Sequence, residues 1–203
     1  MSKITSITVQ EKNKNRCNIF IDGDFFIGLS AELVYEKNLR VGNVIDKEQL
    51  QQLTIEKDKS DALQKSINYL SKSMKTKKQI KTYLIGKGYS DEVVYYCIDK
   101  LKEYNLINDT EYAQKYILGN SKNQGKNLIN YKLMQKGIRK EEILFAYDEL
   151  DIDSKQNARL LAEKRLKNKE ITQELLSKTY RYIISKGFSY EEASYAIEPF
   201  KEN

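Results

Sequence analysis

A sequence pattern that returns three times is the strongest constraint on the fold of this 203-residue chain. The segments are GKGYSDEVVYYCIDKL at 86–101, QKGIRKEEILFAYDEL at 135–150 and SKGFSYEEASYAIEPF at 185–200. Their Lys-Gly pairs place glycine at 88, 137 and 187, which are 49 and 50 residues apart. A repeat with a period near 50 predicts tandem modules that each contact mainly their neighbours.

Each Lys-Gly pair lies between two predicted helices. Glycine just past a helix end adopts the left-handed conformation, and the apolar residue after it turns back onto the helix. Ser90 and Ser189 then stand as N-caps of the next helix, whereas Arg139 interrupts this pattern in the second repeat. The next helix is predicted from apolar residues spaced i, i+3, i+4, i+7. These residues are Val94, Cys97, Ile98 and Leu101; Ile143, Ala146, Tyr147 and Leu150; and Ala193, Ala196, Ile197 and Phe200.

An additional helix begins each repeat, so that every module has three helices joined by short turns. Its predicted core residues are Ala62, Leu63, Ile67 and Leu70; Tyr112, Ala113, Tyr116 and Ile117; and Leu160, Leu161 and Leu166. The predicted modules, which resemble helix-turn-helix units, cover residues 58–105, 106–151 and 152–203.

The first 55 residues have a different pattern. Ile4–Val9 is rich in β-branched residues and predicts a strand, and two apolar runs flank Asp22-Gly23, which is typical of a hairpin turn. Ser30 and Asp46 are expected to cap short helices. The predicted fold is therefore mainly α, an array of three three-helix repeats after a small β-hairpin-containing region at 1–55.

Composition argues against several functional classes. The chain has no histidine, the commonest general base and metal ligand, and no nucleophile–base pair is visible, which argues against an enzyme but leaves carboxylate and lysine chemistry open. No cofactor or metal is predicted. Gly86-Lys87-Gly88 lacks the remainder of a phosphate-binding Walker loop, and the acidic link at 148–153 lacks the glycine and terminal glutamate of a calcium loop. Two cysteines without a pattern, no signal peptide and no membrane-length apolar run predict a cytoplasmic protein.

Basic residues cluster within each repeat, and the net charge of the chain is +6. Two interpretations remain open, an ordinary solvated helix face and a surface that binds a polyanion or an acidic protein groove. The candidate binding residues are Lys72, Lys75, Lys77, Lys78 and Lys81; Lys122, Lys126 and Lys132; and Lys164, Arg165 and Lys167. If equivalent faces of the modules align, these clusters form one stripe. The polar link at 119–127 either binds phosphates or only turns the chain.

Tyrosine is abundant, with 15 residues, and aromatic rings beside basic residues suit stacking on unpaired bases. Most of the helical tyrosines lie at core spacing, so we expect them to pack between helices. The set comprises Tyr69, Tyr83, Tyr95, Tyr96, Tyr104, Tyr112, Tyr116, Tyr131 and Tyr147.

The repeats resemble those of the RecX family, the bacterial regulators of the RecA recombinase. The similarity lies in TKKQIKTYLIGKGY at 76–89, YNLINDTEYA at 104–113, and Gly125-Lys126 before the helix that ends in Lys136-Gly137. It covers roughly residues 58–201, and the β-containing region resembles longer family members. Asn108 departs from the more usual acidic residue, and Arg139 departs from the usual cap.

The resemblance implies a non-enzymatic regulator in DNA repair, DNA recombination and the SOS response. It implies binding in the groove of the RecA–DNA filament, with lower ATPase activity, strand exchange and filament growth. Partners would be RecA and DNA, bound directly or through RecA, with no membrane and a monomeric state. The alternatives are a stand-alone DNA-binding protein, against which no helix carries an evident set for reading base edges, and a nuclease.

Overall fold

The computed structural model describes residues 2–11 and 13–201. Four strands and the first helices come first in the chain, and the remainder is helical. The strands are β1 Ser2–Val9, β2 Arg16–Ile21, β3 Asp24–Ser30 and β4 Val44–Ile45. The helices are α1 Ala31–Glu36, α2 Lys47–Leu70, α3 Lys77–Gly86, α4 Asp91–Glu103, α5 Asp109–Asn120, α6 Lys126–Gln135, α7 Lys140–Asp148, α8 Ser154–Leu166, α9 Gln173–Ser185 and α10 Tyr190–Ile197, followed by a short 3₁₀ turn, Glu198–Phe200.

The N-terminal region is a four-stranded antiparallel sheet with the strand order β3-β2-β1-β4. The predicted hairpin turn is confirmed, since Asp22 and Gly23 have φ angles of 52° and 96°. Both values are positive, as a two-residue turn between twisted strands requires. Ser30 caps α1 as predicted, because the Leu33 amide donates to its hydroxyl at 3.1 Å.

Helix α2 is one continuous helix of 24 residues. Asp46 caps it as predicted, since its carboxylate accepts from the amides of Glu48 and Gln49 at 3.0 and 3.2 Å. The sequence had placed a boundary between residues 55 and 58, and the helix crosses that interval. It therefore connects the β-containing region to the first module without a linker.

The predicted three-helix organisation is confirmed. Helices α5–α7 enclose a core that includes Ala113, Ile117, Leu133 and Ile143, and α8–α10 enclose one around Ala158, Ile183 and Ala193. Helix α4 packs against α2, and its predicted core residues Val94, Cys97, Ile98 and Leu101 are buried. The prediction for Leu160 is wrong because this side chain lies on the outer side of α8 and is half exposed.

The chain forms two compact units. The first contains residues 1–73 and 80–106, and the second contains residues 74–79 and 107–203. The first turn of α3 therefore belongs to the second unit. Thr76, directly before this turn, and Gln79 form two reciprocal hydrogen bonds. The Thr76 backbone amide donates to the Gln79 side-chain oxygen at 3.0 Å, and the Gln79 backbone amide donates to the Thr76 hydroxyl at 3.3 Å.

A buried ion pair joins β2 to α2 inside the first unit. Arg16 donates from Nη1 and Nη2 to the two oxygens of Asp58, both at 2.9 Å, and Nη2 also donates to the Gly28 carbonyl at 2.8 Å. Arg16 is 7% exposed and Asp58 is 6% exposed. A paired buried charge is tolerated, but removing one partner leaves the other charge without compensation.

The lysine carbonyl of each Lys-Gly turn accepts a hydrogen bond from an earlier part of the chain. The donors are Asn13 Nδ2 for Lys87 at 3.1 Å, Thr76 Oγ1 for Lys136 at 2.7 Å, and the Gly125 amide for Lys186 at 2.9 Å. The turns that end the middle helix of each module are thus also docking points.

Glycine is required in two of these turns for two separate reasons. Gly137 and Gly187 both have φ near +88°, where a side chain is strained. A Cβ on Gly137 would lie 2.4 Å from Lys78 Cβ, and one on Gly187 would lie 2.3 Å from Leu128 Cβ. The close approach inside the second unit therefore depends on the missing side chain.

We expect Asp58→Ala to lower the free energy of unfolding by about 3–5 kcal/mol, because it leaves the Arg16 guanidinium buried and unpaired. Urea unfolding followed by circular dichroism measures the change. The matched control is Glu111→Ala, which breaks the exposed pair with Lys115 and should cost at most about 0.5 kcal/mol. Equal losses in the two variants would contradict the assigned role of the buried pair.

We expect Gly137→Ala to destabilise the protein by more than about 2 kcal/mol, since it adds positive-φ strain to a steric overlap with Lys78. Gly119→Ala is the control. Gly119 lies in α5 with open space around it, so the same change should stabilise by about 0.5–1 kcal/mol. A neutral Gly137→Ala in the same urea titration would refute the docking role of the turn.

Candidate functional site

The first predicted basic cluster is divided by its local environment. Lys72 is exposed and has no ion pair or hydrogen bond with any residue that the structure describes, whereas Lys75 is half-buried. Lys78 Nζ donates to the Gln135 carbonyl at 3.0 Å. Of these three lysines, Lys72 is therefore the one whose charge is fully available to a partner.

Lys77 is held by acids inside the second unit. Its Nζ lies 3.4 Å from Glu142 Oε1 and 3.9 Å from Asp109 Oδ2, and its backbone amide donates to Asp109 Oδ1 at 3.0 Å. The buried Asp109 carboxylate therefore stabilises the N-terminus of α3. Asn108 caps α5, because its side-chain oxygen accepts from the backbone amides of Thr110 and Glu111.

Glu142 connects Lys77 to the start of α7. Its carboxylate accepts from the Arg139 amide and guanidinium, both at 3.0 Å. Burial alone would raise the pKa of Glu142, but the hydrogen bonds from Arg139 and the charge of Lys77 lower it below its ordinary value. Arg139 thus begins α7 without a hydroxyl cap, because the glutamate three residues on satisfies its amide.

Lys81 lies on a tyrosine in the first unit. Its Nζ is 4.7 Å from the Tyr95 ring centroid and 3.1 Å from the Tyr95 hydroxyl, with Asp91 at 3.8 Å. The hydrogen bond with Tyr95 raises the pKa of Lys81, and the Asp91 carboxylate adds to the effect. Lys81 remains cationic, but its charge is already shared.

The second cluster contains one free lysine. Lys122 is exposed and has no partner among the described residues. Lys126 Nζ lies 4.6 Å from the Tyr147 ring centroid, and Lys132 Nζ donates to Gln124 Oε1 at 2.9 Å. The polar link around them is a hydrogen-bonded turn, in which the Gln124 amide donates to the Asn120 carbonyl at 3.0 Å.

The third cluster lies at the end of α8. Lys164 and Lys167 are exposed and unpaired within the described chain. The Arg165 guanidinium stacks 4.3 Å from the Tyr182 ring centroid, which positions it without neutralising its charge.

Three of the free lysines occupy the same place in successive modules. Lys72, Lys122 and Lys167 each lie one or two residues beyond the first helix of their module, namely α2, α5 and α8. Each is exposed and lacks an ion pair with the described residues. Sequence reasoning found these residues as members of basic runs, but it did not distinguish them from lysines that hold internal acids.

The tyrosines are less buried than their spacing predicted. Among the nine helical tyrosines, four are exposed, namely Tyr95, Tyr96, Tyr104 and Tyr131. Tyr69 and Tyr83 do pack as expected, since their rings stack at 4.3 Å. Helical spacing alone did not reveal which rings are covered by a neighbouring helix and which by a lysine.

Within the described residues, no cluster of three or more histidine, cysteine or acidic side chains is arranged to hold a metal ion. The same part of the chain contains no helix with the length and apolar character needed to cross a membrane. The surface lysines remain the main chemical signal of the chain.

These features define a class, the tandem three-helix-module proteins with an N-terminal β-sheet domain. Residues 2–46 match the regulatory protein RecX N-terminal domain, residues 62–101 the first three-helix domain of RecX, and residues 152–197 its third three-helix domain. Regulatory protein RecX of Clostridium botulinum strain Alaska E43 is 37% identical over 196 residues, which cover 94% of this chain and 92% of the relative. The chain belongs to the RecX family of regulatory proteins.

Other relatives and solved structures agree. Regulatory protein RecX of Clostridioides difficile strain 630 is also 37% identical over 196 residues, covering 94% of this chain and 92% of the relative. A crystal structure of regulatory protein RecX superposes with a TM-score of 0.65 at 25% identity and full coverage of both chains. The crystal structure of RecX from Lactobacillus salivarius gives 0.64 at 26% identity, covering 72% of this chain and 99% of that one.

The hydroxyl of Tyr147, whose ring lies beneath Lys126 of the second cluster, is buried and has no hydrogen-bond partner among the residues that the structure describes. Burial raises the pKa of Tyr147 to about 12, with a smaller contribution from the charge of Glu192. Because an unsatisfied buried hydroxyl costs free energy, we expect Tyr147→Phe to be as stable as the wild type or about 1 kcal/mol more stable.

The same variant has an expected pH dependence. Because the buried phenol holds its proton more tightly than the phenol of the unfolded chain, the wild type has no pH-dependent loss below the unfolded-state pKa near 10, and it loses stability as pH rises from there through 12. The melting temperature should therefore fall more for the wild type than for Tyr147→Phe between pH 9 and pH 11, as measured by thermal unfolding. A large loss of stability in the variant at neutral pH would show that the hydroxyl has a partner.

Proposed function

We propose that this protein regulates the RecA recombinase by binding the RecA–DNA filament. Membership in a family of regulatory proteins supports regulation in general. The finer mechanism is that the modules lie in the filament groove, lower ATPase activity and strand exchange, and limit filament growth. The protein would act in the cytoplasm as a monomer, in DNA repair, recombination and the SOS response.

The observation that carries this proposal is the free lysine at an equivalent place in each module, Lys72, Lys122 and Lys167. A polymeric ligand offers the same chemistry at regular intervals, so a repeated cation can make repeated contacts. Weak contacts on one chain reinforce each other because the first raises the effective concentration for the next. DNA phosphates and acidic protein surfaces are both suitable partners.

The other predicted residues contribute unequally to the proposed surface. We assign Lys164 to the same role as the three repeated lysines, because it is also exposed and unpaired within the described chain. Lys75, Lys78, Lys126, Lys132 and Arg165 complete the surface. Lys77 and Lys81 would have to release their internal partners, so we expect smaller contributions from them.

The triple variant Lys72→Glu, Lys122→Glu, Lys167→Glu tests the proposal. RecA ATPase on single-stranded DNA, titrated with the protein, should require about tenfold or more of the variant for half-maximal inhibition, since each lost phosphate contact weakens a salt-dependent interaction. The wild-type protein is titrated in parallel, and its inhibition of RecA ATPase tests the proposed function itself.

The matched control is Lys3→Glu, Lys14→Glu, Lys37→Glu, which changes the net charge equally through three exposed lysines of the N-terminal region. It should inhibit like the wild type. If the control loses as much inhibition as the test variant, only net charge matters and the assigned surface is wrong. If the wild type has no effect on RecA, the proposed function itself is wrong.

A stand-alone DNA-binding role is the second candidate, because free repeated lysines suit any polyanion. Fluorescence anisotropy with single- and double-stranded DNA, with and without RecA, distinguishes the two. Filament regulation predicts a marked gain in affinity when RecA covers the DNA. Equal affinity for naked and RecA-coated DNA would favour the second candidate.

A further inference from the structure

The third helix of each module carries an aromatic side chain at the same outer position, eight residues after the turn glycine. These residues are Tyr96, Phe145 and Tyr195, and all three are exposed. An aromatic ring that recurs outside the core is not explained by packing. The side chains around the three rings differ, and the second module is the one that departs from the other two.

In the first module a lysine that is paired with a glutamate lies over the ring. Lys59 Nζ lies 5.3 Å from the Tyr96 ring centroid and forms an ion pair with Glu92 at 2.9 Å. The lysine belongs to α2 and the other two residues belong to α4. The apolar face is therefore partly shielded, and the carboxylate beside it is neutralised.

The third module repeats this arrangement. Lys155 Nζ lies 6.0 Å from the Tyr195 ring centroid and forms an ion pair with Glu191. The Arg159 guanidinium adds a second cation at 5.5 Å. Lys155 and Lys59 are equivalent, because each lies three residues before the buried alanine of its first helix.

The second module lacks the cover. Thr110 stands where the other modules have lysine, and within the described chain no cation lies over Phe145 or pairs with Glu141 from that position. Phe145 is 57% exposed, and its neighbour Leu144 is 43% exposed. No described residue forms an ion pair with Glu141. The result is a bare apolar pair on the outer face of α7.

A second carboxylate on this face, Asp148, forms no ion pair with any residue that the structure describes, again because a lysine of the other modules is replaced. The equivalent acids in the other modules each bind a lysine three residues on, Asp99 with Lys102 at 3.3 Å and Glu198 with Lys201 at 2.8 Å. In the second module the acid is Asp148, and Asp151 stands in place of the lysine. Glu149 is also exposed and unpaired within the described chain.

The apolar pair is thus flanked by carboxylates that are unpaired within the described chain, Glu141 and Asp148 in α7 and Glu149 directly after it. DNA phosphates would be repelled here, in contrast to the lysine-rich ends of the first helices. A basic protein segment with an apolar side chain fits both features, since the anchor fills the desolvated centre and the cations meet the carboxylates at the rim.

We propose that the outer face of α7, formed by Leu144, Phe145, Glu141 and Asp148, docks a basic, apolar-anchored segment of the protein component of the filament. The inference rests on the proposed function and assigns separate surfaces to the two components. The repeated lysines bind polyanion, and the α7 face binds protein. The sequence keeps this face uncovered by replacing two lysines of the sibling modules with Thr110 and Asp151.

Substitution at the anchor gives the first test. With Phe145→Ser, half-maximal inhibition of RecA ATPase should require about tenfold more protein, as expected when a central apolar anchor is lost. Binding of the variant to single-stranded DNA without RecA, measured by anisotropy, should stay within about twofold of the wild type. Tyr195→Ser is the matched control, because Lys155 and Arg159 already lie against its ring in the third module, and it should inhibit like the wild type.

A second variant adds a group instead of removing one. Thr110→Lys recreates the lysine of the sibling modules, which should pair with Glu141 and cover Phe145. It should weaken inhibition in the same direction as Phe145→Ser while leaving urea unfolding unchanged. Because it deletes no apolar contact, it distinguishes a masked surface from a misfolded module. Full inhibition by both variants would overturn the inference.

Photo-crosslinking identifies the occupant directly. Benzoylphenylalanine at position 145 should crosslink to RecA in filaments on single-stranded DNA, at a segment containing lysine or arginine. Crosslinks to DNA, crosslinks only to a second copy of this protein, or no crosslink would each refute the assignment. If the wild type fails to inhibit RecA at all, the proposed function fails, whereas normal inhibition with an inert position 145 rejects only the inference.

Discussion

The hydrogen bond to the lysine carbonyl in each Lys-Gly turn is the interaction on which the rest of the structure depends. The turn itself is a local solution, because glycine ends the middle helix in a left-handed conformation. The same residue pair then presents a carbonyl to Asn13, Thr76 or Gly125 from an earlier part of the chain. At Gly137 and Gly187 the missing Cβ lets the neighbouring backbone or side chain approach closely. One short motif thus serves both helix termination and docking.

Much of the fold was predictable because its signals are local and repeated. The hairpin at Asp22-Gly23, the caps at Ser30 and Asp46, and the buried faces of the third helices follow from turn chemistry and helical periodicity. Long-range partners were not predictable in this way. Nothing near Arg16 in the sequence indicates Asp58, and nothing near Lys77 indicates the buried Asp109. Leu160 was misplaced because three consecutive apolar residues leave the helix face ambiguous.

The candidate site shows the same division. The runs of basic residues in the sequence contain all of the candidate lysines. A run does not show which of these lysines pair with other residues of the same chain. Lys77 lies between two carboxylates and Lys81 on Tyr95, whereas Lys122 has no partner in the described structure. Whether a lysine is free depends on residues that are far away along the chain. This explains why the basic runs predict a binding surface but do not rank its residues, whereas the folded structure shows which lysines are already paired.

Repetition provides an internal reference that a single domain lacks. Modules that share a fold reveal function where they depart from each other, because packing demands are common to all of them and ligand demands are not. Threonine in place of a covering lysine, at position 110, costs the second module an ion pair that its siblings keep. The loss is small on an exposed surface, near 0–1 kcal/mol, so such a site is free to change for binding without endangering the fold. A modular array can therefore divide the recognition of a two-component polymer among faces that fold alike but differ in charge.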